Sequence, residues 1–219
     1  MIEEISEEDV KLFKAKAFMQ QLTKSEKKDS WSPQQECLLK EWADKSAGYR
    51  WLHLKSHELY NKYNNYLAYP IILLSCIGGI GGLSIVSNEK PTPFELYAQY
   101  VFFSCNIIIT MLSSIQRFNN FNELSEKHSM AAIQYAKFYR NISMELSLQY
   151  EERELGLQFL RQCKSEFDRL LSTSPEIPVY VINMFNDIYK DIQHKPDIAN
   201  GLTHLDKECL NCQYASPPV

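Results

Sequence analysis

Apolar and aromatic positions recur along this chain at alternating steps of three and four, the period of a helix with one inward face. The longest row is Leu39, Trp42, Ser46, Tyr49, His53, Ser56, Tyr60, Tyr63 and Leu67. It starts cleanly. Ser32 can cap, Pro33 suits the first helical position, and Gln35 completes an S-x-x-Q capping box. A Trp/Tyr stripe at this spacing reads as a packing seam, and His53 within it as a satisfied core histidine. Gly48 and Pro70 are the weak points of an otherwise unbroken helix. A second row, Leu124, His128, Ala131, Tyr135, Phe138, Ile142 and Leu146, predicts another long helix. A third helix is expected over 151–171, with Leu155, Phe159, Leu160, Cys163, Phe167, Leu170 and Leu171 on its apolar side. Ser174-Pro175-Glu176-Ile177-Pro178 then breaks the chain and opens a short helix over 179–189, ended by His194-Lys195-Pro196. Near the beginning, Ser6, Glu7, Glu8 and Asp9 mark a further helix onset carrying Val10, Phe13, Ala17 and Leu22. The expected fold class is all-α.

Two stretches break the mixed pattern by holding no charge at all: Tyr63 to Asn88 and Leu96 to Gln116. At ~1.5 Å per residue each is long enough to cross a hydrocarbon core of ~30 Å. Leu67 to Val86 holds ten Leu, Ile or Val residues. Together they favour insertion by about 3 to 6 kcal/mol at most. Tyr60, Tyr63, Tyr66 and Tyr69 suit the membrane interface. The predicted element is a transmembrane helical hairpin. Its parts are a juxtamembrane helix at 31–66, spans at 67–86 and 96–116, and a short loop at 87–95. Flanking it are an N-terminal amphipathic helix and linker at 1–30, a cytosolic helical region at 117–196 and a flexible tail at 197–219.

Each span carries a distinctive set of side chains. Four of the chain's seven glycines sit in the first, and Ser75/Gly79 and Gly78/Gly82 fit the small-xxx-small spacing that lets membrane helices approach closely. Gly79-Ile80-Gly81 is no dinucleotide loop, since neither a strand before it nor a polar helix after it supports one. On the second span, Gln99, Asn106, Thr110, Ser113 and Gln116 share one helical face, with Phe103 as the apolar member of the row. A polar row in lipid needs partners or water. Two uses stand equally open: lining a conduit gathered from several subunits, or hydrogen-bonding helices together at ~0.6–2 kcal/mol per contact. Both make a homo-oligomer the expected state, because two spans cannot enclose a pore alone.

Charge sets the orientation. Arg50, Lys55, Lys62, Arg117 and Lys127 flank the spans on one side, against Lys90 alone in the loop, which predicts both termini in the cytosol. The acidic start, Met1 to Asp9, has no secretory pattern, so the first span is expected to act as its own insertion signal. Asn141-Ile142-Ser143 is a sequon that this topology keeps from the glycosylation machinery. Net charge is −4 with Lys and Arg spread out, which gives no basic stripe for nucleic acid. The six cysteines show no disulfide-framework spacing, and a reducing compartment is the simplest reading. Cys209-Leu210-Asn211-Cys212, with His204 upstream, is a lone pair where a zinc knuckle needs two. No HExxH, GxxxxGK or GxSxG is present. The expectation is a non-enzyme, with no catalytic residues, metal or cofactor.

Several stretches together carry a family resemblance. They are Glu36 to His53 (ECLLKEWADKSAGYRWLH), the glycine-rich first span, Glu126 to Arg140 (EKHSMAAIQYAKFYR) and Phe167 to Pro178 (FDRLLSTSPEIP). Over roughly 33–190 the chain resembles SLATT-domain proteins, in the version carried by large DNA viruses of eukaryotes. These are patterns of helix and span, not catalytic signatures. The resemblance implies a two-span membrane protein with a cytosolic helical extension that forms pores as an effector. It also implies a trigger supplied by a protein or nucleotide-sensor partner. The expected function is an oligomeric pore or ion channel in a lipid bilayer. Its alternative is a non-conducting scaffold, or a virion membrane protein, that recruits partners through its cytosolic helices. A third reading makes both apolar segments the core of a soluble bundle.

Overall fold

A computed structural model describes Lys16, residues 30–85 and residues 92–201, apart from the side chains of 79–85. The helix expected within 1–30, most of the connecting loop, and 202–219 with Cys209 and Cys212 lie outside the described residues. Among the described residues the architecture is all-helical: α1 (Pro33–Ile85), α2 (Pro93–Asn119), α3 (Phe121–Ser147), α4 (Gly156–Thr173), α5 (Val179–Ile188) and α6 (Asp197–Asn200).

The capping box that opens α1 forms as its spacing predicts. Gln35 N donates to Ser32 Oγ at 3.3 Å, and Ser32 N donates to Gln35 Oε1 at 3.1 Å. The helix then runs unbroken for 53 residues, through Pro70. α2 opens on a second box. Glu95 N donates to Thr92 Oγ1, Thr92 N donates to Glu95 Oε2, and Pro93 stands in the first turn. The second apolar stretch and the row that begins at Leu124 lie on separate helices. Asn120 takes φ 47°, ψ 39°, and α3 begins at the next residue. A short polar side chain makes that left-handed step accessible to asparagine.

Contacts divide the chain into two units. The first draws on Met1–Leu52, Ala131–Ser174 and Ile182–Val219. Its core consists of the inward residues of the predicted rows: Leu39, Tyr49, Tyr135, Phe138, Ile142, Phe159, Phe167 and Leu170 are all buried. Tyr49 stacks on Tyr135 with centroids 5.1 Å apart, and Phe167 meets Trp42, Tyr49 and Phe138 at 6.1, 6.3 and 5.5 Å. Such aromatic contacts add ~0.5–1.5 kcal/mol each beyond the area they bury.

α4 starts at Gly156, five residues later than the apolar pattern suggests. Residues 148–154 serve as a buckle in between. Arg153 is buried and bonds Glu36 at 2.7 Å, while its other nitrogens donate to the Leu146 and Leu148 carbonyls at the end of α3. Those carbonyls are orphans of a helix terminus, and the guanidinium satisfies them. A Cβ at Gly156 would come within 2.6 Å of the Ser30 carbonyl, so only glycine fits the approach.

Asp197–Asn200, expected to belong to a flexible tail, forms α6 and is held in place. Pro196 is fully buried, Asp197 pairs with Lys45 at 2.9 Å, and the Tyr49 hydroxyl meets the backbone of Asp197 and Ile198. Gly48, read as a weak point of α1, is what admits this segment. A Cβ there would lie 2.5 Å from Pro196 Cγ.

The second unit comprises His53–Met130 and Pro175–Val181. Among its described residues the buried side chains are His53, Ser56, Ser125, His128, Ile177 and Val181. Four of those six are polar, and they sit where α1 and α3 meet.

Candidate functional site

Among the described residues, one helical run is long and apolar enough to cross a membrane. It starts at Pro93, and its apolar window has none of its residues buried. Phe94, Tyr97, Tyr100, Phe103, Met111 and Phe118 are each more than 60% exposed on α2. The end of α1 has the same character, with Tyr66, Tyr69, Ile72, Leu73 and Ile77 exposed. Large apolar side chains left outward along whole helices mark a surface that meets something other than water.

The half-buried positions of α2 are Glu95, Ala98, Phe102, Cys105, Ile109, Leu112, Ser113 and Gln116. Their spacing traces one face, the side of α2 that packs inside the unit. Asn106 stands one residue on from Cys105, ~100° around the helix. Gln99, Asn106 and Thr110 are exposed, a strip flanking the packed face. The row read from sequence as one face therefore divides: Ser113 is half-buried, and Gln116 turns inward to donate to Asn64 Oδ1 at 2.9 Å. Gln116 joins two helices of one chain.

Along α2 the small polar side chains bond their own helix. Ser104, Asn106, Thr110 and Ser114 donate to the carbonyls of Tyr100, Phe102, Asn106 and Thr110 at 2.7 to 2.9 Å. That satisfies their donors without water. The Asn106 amide keeps an acceptor and a second donor available outward.

Among the proposed packing residues, Ser75 is exposed, and nothing lies within 4 Å of a Cβ placed on Gly78. Among the described residues nothing packs against the open side of Gly78. The surroundings of Gly79 and Gly82 lie outside the described side chains.

Below the apolar zone α1 and α3 are joined by a collar, in which partners step down α1 as they step up α3. Tyr60 and Tyr63 both meet Phe121, and Tyr60 stacks on His128 at 5.4 Å. The Ser125 hydroxyl lies 2.8 Å from His57 Nδ1 and donates to the His57 carbonyl at 3.2 Å. At the inner end His53 Nδ1 and His128 Nδ1 are 2.9 Å apart, with both rings fully buried. A neutral imidazole has one donor and one acceptor nitrogen, so one proton lies between these two atoms.

Burial, then the facing His128, pushes His53 down to about 3; burial, then the charge of His57, pushes His128 down to about 4. Both rings are neutral at physiological pH. The sequence rows placed His53 and His128 on inward faces but did not pair them, and missed His57, Ser125 and Asn64. The available signal was that three of the chain's five histidines fall on or beside those two rows.

Chemically the collar offers hydrogen bonding among imidazoles and hydroxyls. Cys163 is buried, which pushes its thiol up to about 12. Among the described residues no group of three or more His, Cys, Asp or Glu side chains could hold a metal ion. Comparisons of the chain with protein-family models, with curated proteins and with solved structures return no match.

Proposed function

We propose that the chain is a two-span integral membrane protein whose copies assemble into an ion-conducting pore. In this reading Leu67–Val86 and Leu96–Gln116 form a hairpin with both termini in the cytosol. The observation that carries it is α2, a helix of 27 residues with no buried side chain and a polar strip along an otherwise apolar surface. In a bilayer the apolar face meets lipid. Gln99, Asn106 and Thr110, set a quarter-turn from the intrachain face, then meet a neighbouring copy or water. Ser113 completes the lining toward the cytosolic end, and the Ser75/Gly78/Gly79/Gly82 cluster holds adjacent spans close. The resemblance of 33–190 to SLATT-domain proteins points the same way, toward a membrane effector released by a partner.

A second reading has an observation of its own. Ser104, Thr110, Ser114 and one donor of Asn106 are met by their own helix, so most of this surface can face lipid or protein without water. That suits a non-conducting scaffold recruiting partners through its cytosolic helices. Single-channel current from purified protein in a planar bilayer, beside Asn106→Leu, separates the two. A pore gives discrete steps whose amplitude changes by roughly 2-fold or more, or vanishes, on substitution, since the lining group sets the local field. Silent bilayers containing inserted oligomers favour the scaffold.

A further inference from the structure

The collar holds a feature that neither membrane spanning nor pore lining requires. Two imidazoles are fully buried with Nδ1 facing Nδ1 at 2.9 Å, ring centroids 5.1 Å apart. One proton makes this a hydrogen bond; a second makes it two N–H groups pointed at each other. We propose that the His53–His128 pair is an acid-operated latch, closed by its single shared proton at neutral pH and forced apart when both rings take a proton.

The surroundings suit that role. From α1 the neighbours are Ser56, His57 and Tyr60, and from α3 Ser125; Glu176, from the 175–181 segment, acts on the Tyr60 hydroxyl. Charged groups nearby on the two helices are occupied with each other at the surface, Lys55 with Glu58 and Lys127 with Glu123. His57 stands one turn on along α1 from His53, its Nδ1 held 2.8 Å from the Ser125 hydroxyl, and no carboxylate faces the pair from either helix in the contacts described. His128 Nε2 has no hydrogen-bond partner, so a charged His128 ring gains nothing at that atom in the closed collar.

The sign follows from linkage. The closed state holds both rings below the ordinary histidine value of ~6.5, so the parted state binds more protons between about pH 4 and 6.5. The latch is therefore fully effective above ~6.5 and weakens as pH falls, by up to ~10-fold per unit and per ring. At about pH 5 one ring alone favours parting by ~30-fold. As a gate for ion flow the latch rests on the pore reading; as a joint between α1 and α3 it rests on the collar geometry alone.

The test is hydrogen exchange of the full chain in lipid nanodiscs between about pH 7.5 and 5, with rates corrected for their intrinsic pH dependence. Peptides from 49–60 and 121–135 should exchange several hundred-fold faster at the acid end in the wild type, the product of about 30-fold from each ring. His53→Gln and His128→Gln each leave one buried ring and should cut that rise by about 10-fold or more, and His57→Gln, which removes a charge that lowers His128, should cut it by less than either. Two single variants are used because either can fail to fold. A wild-type rise below about 3-fold overturns the latch, as does a rise in both variants as large as the wild type's or one extending to 159–171, which reports general acid unfolding. Ion flux from liposomes of the same protein keeps the two claims apart. Acid loosening without flux at any pH rejects the pore and keeps the latch. Flux indifferent to loosening keeps the pore and rejects its gating.

Discussion

The two units of this chain differ in the balance of what they bury. The first hides Tyr49, Tyr135, Phe138, Phe159, Phe167 and Phe185 in close aromatic contact. The second hides His53, Ser56, Ser125 and His128 with only Ile177 and Val181 as buried apolar side chains among its described residues, and leaves most of its large apolar side chains outside. An aromatic core gains stability by leaving water, and its contacts have one good arrangement. A core of imidazoles and hydroxyls holds only while each group keeps its partner and its protonation state. One unit is therefore built to stay, and the other to respond to what surrounds it.

Substitutions can sharpen or break that contrast. The largest effect is expected at Phe167, which touches Trp42, Tyr49 and Phe138. Phe167→Ala should cost about 3–5 kcal/mol in denaturant unfolding followed by Trp fluorescence in detergent. Phe103→Ala, on the exposed surface of α2, should change the same unfolding by less than about 0.5 kcal/mol. Equal losses would erase the contrast.

Next comes Gly48→Ala, whose new methyl group must displace the rigid Pro196 ring. It should cost about 1–3 kcal/mol and raise exchange of 196–200 ahead of the core. Smallest is Gln116→Leu, which leaves Asn64 without its donor. A loss of about 0.6–1.7 kcal/mol in detergent unfolding is expected. A null result would assign that contact to the surface.

Local order was legible wherever it depended on local spacing. The three-four rows identified the inward residues of α1 and α3, and Ser32-Pro33-Gln34-Gln35 marked the start of α1. Thr92-Pro93-Phe94-Glu95 carries the same kind of signal and went unread, because the uncharged stretch drew the boundary at Leu96. What escaped were features set by another segment. Asp197 to Asn200 is polar and looks like tail, yet Lys45, Tyr49 and the gap at Gly48 hold it. Gln116 matches the polar row in period, but its amide is taken up by Asn64 of α1. The histidine pair needed the register of two antiparallel helices, which no single row contains.

The central claim is that the outward apolar surface of α2 meets lipid. Alkaline carbonate treatment of membranes from cells expressing the full chain, followed by flotation, tests it most directly. The account predicts that the protein stays with the membranes, floats with them and is released only by detergent. Recovery in the carbonate supernatant would contradict it, and would make the same surface an interface between soluble chains.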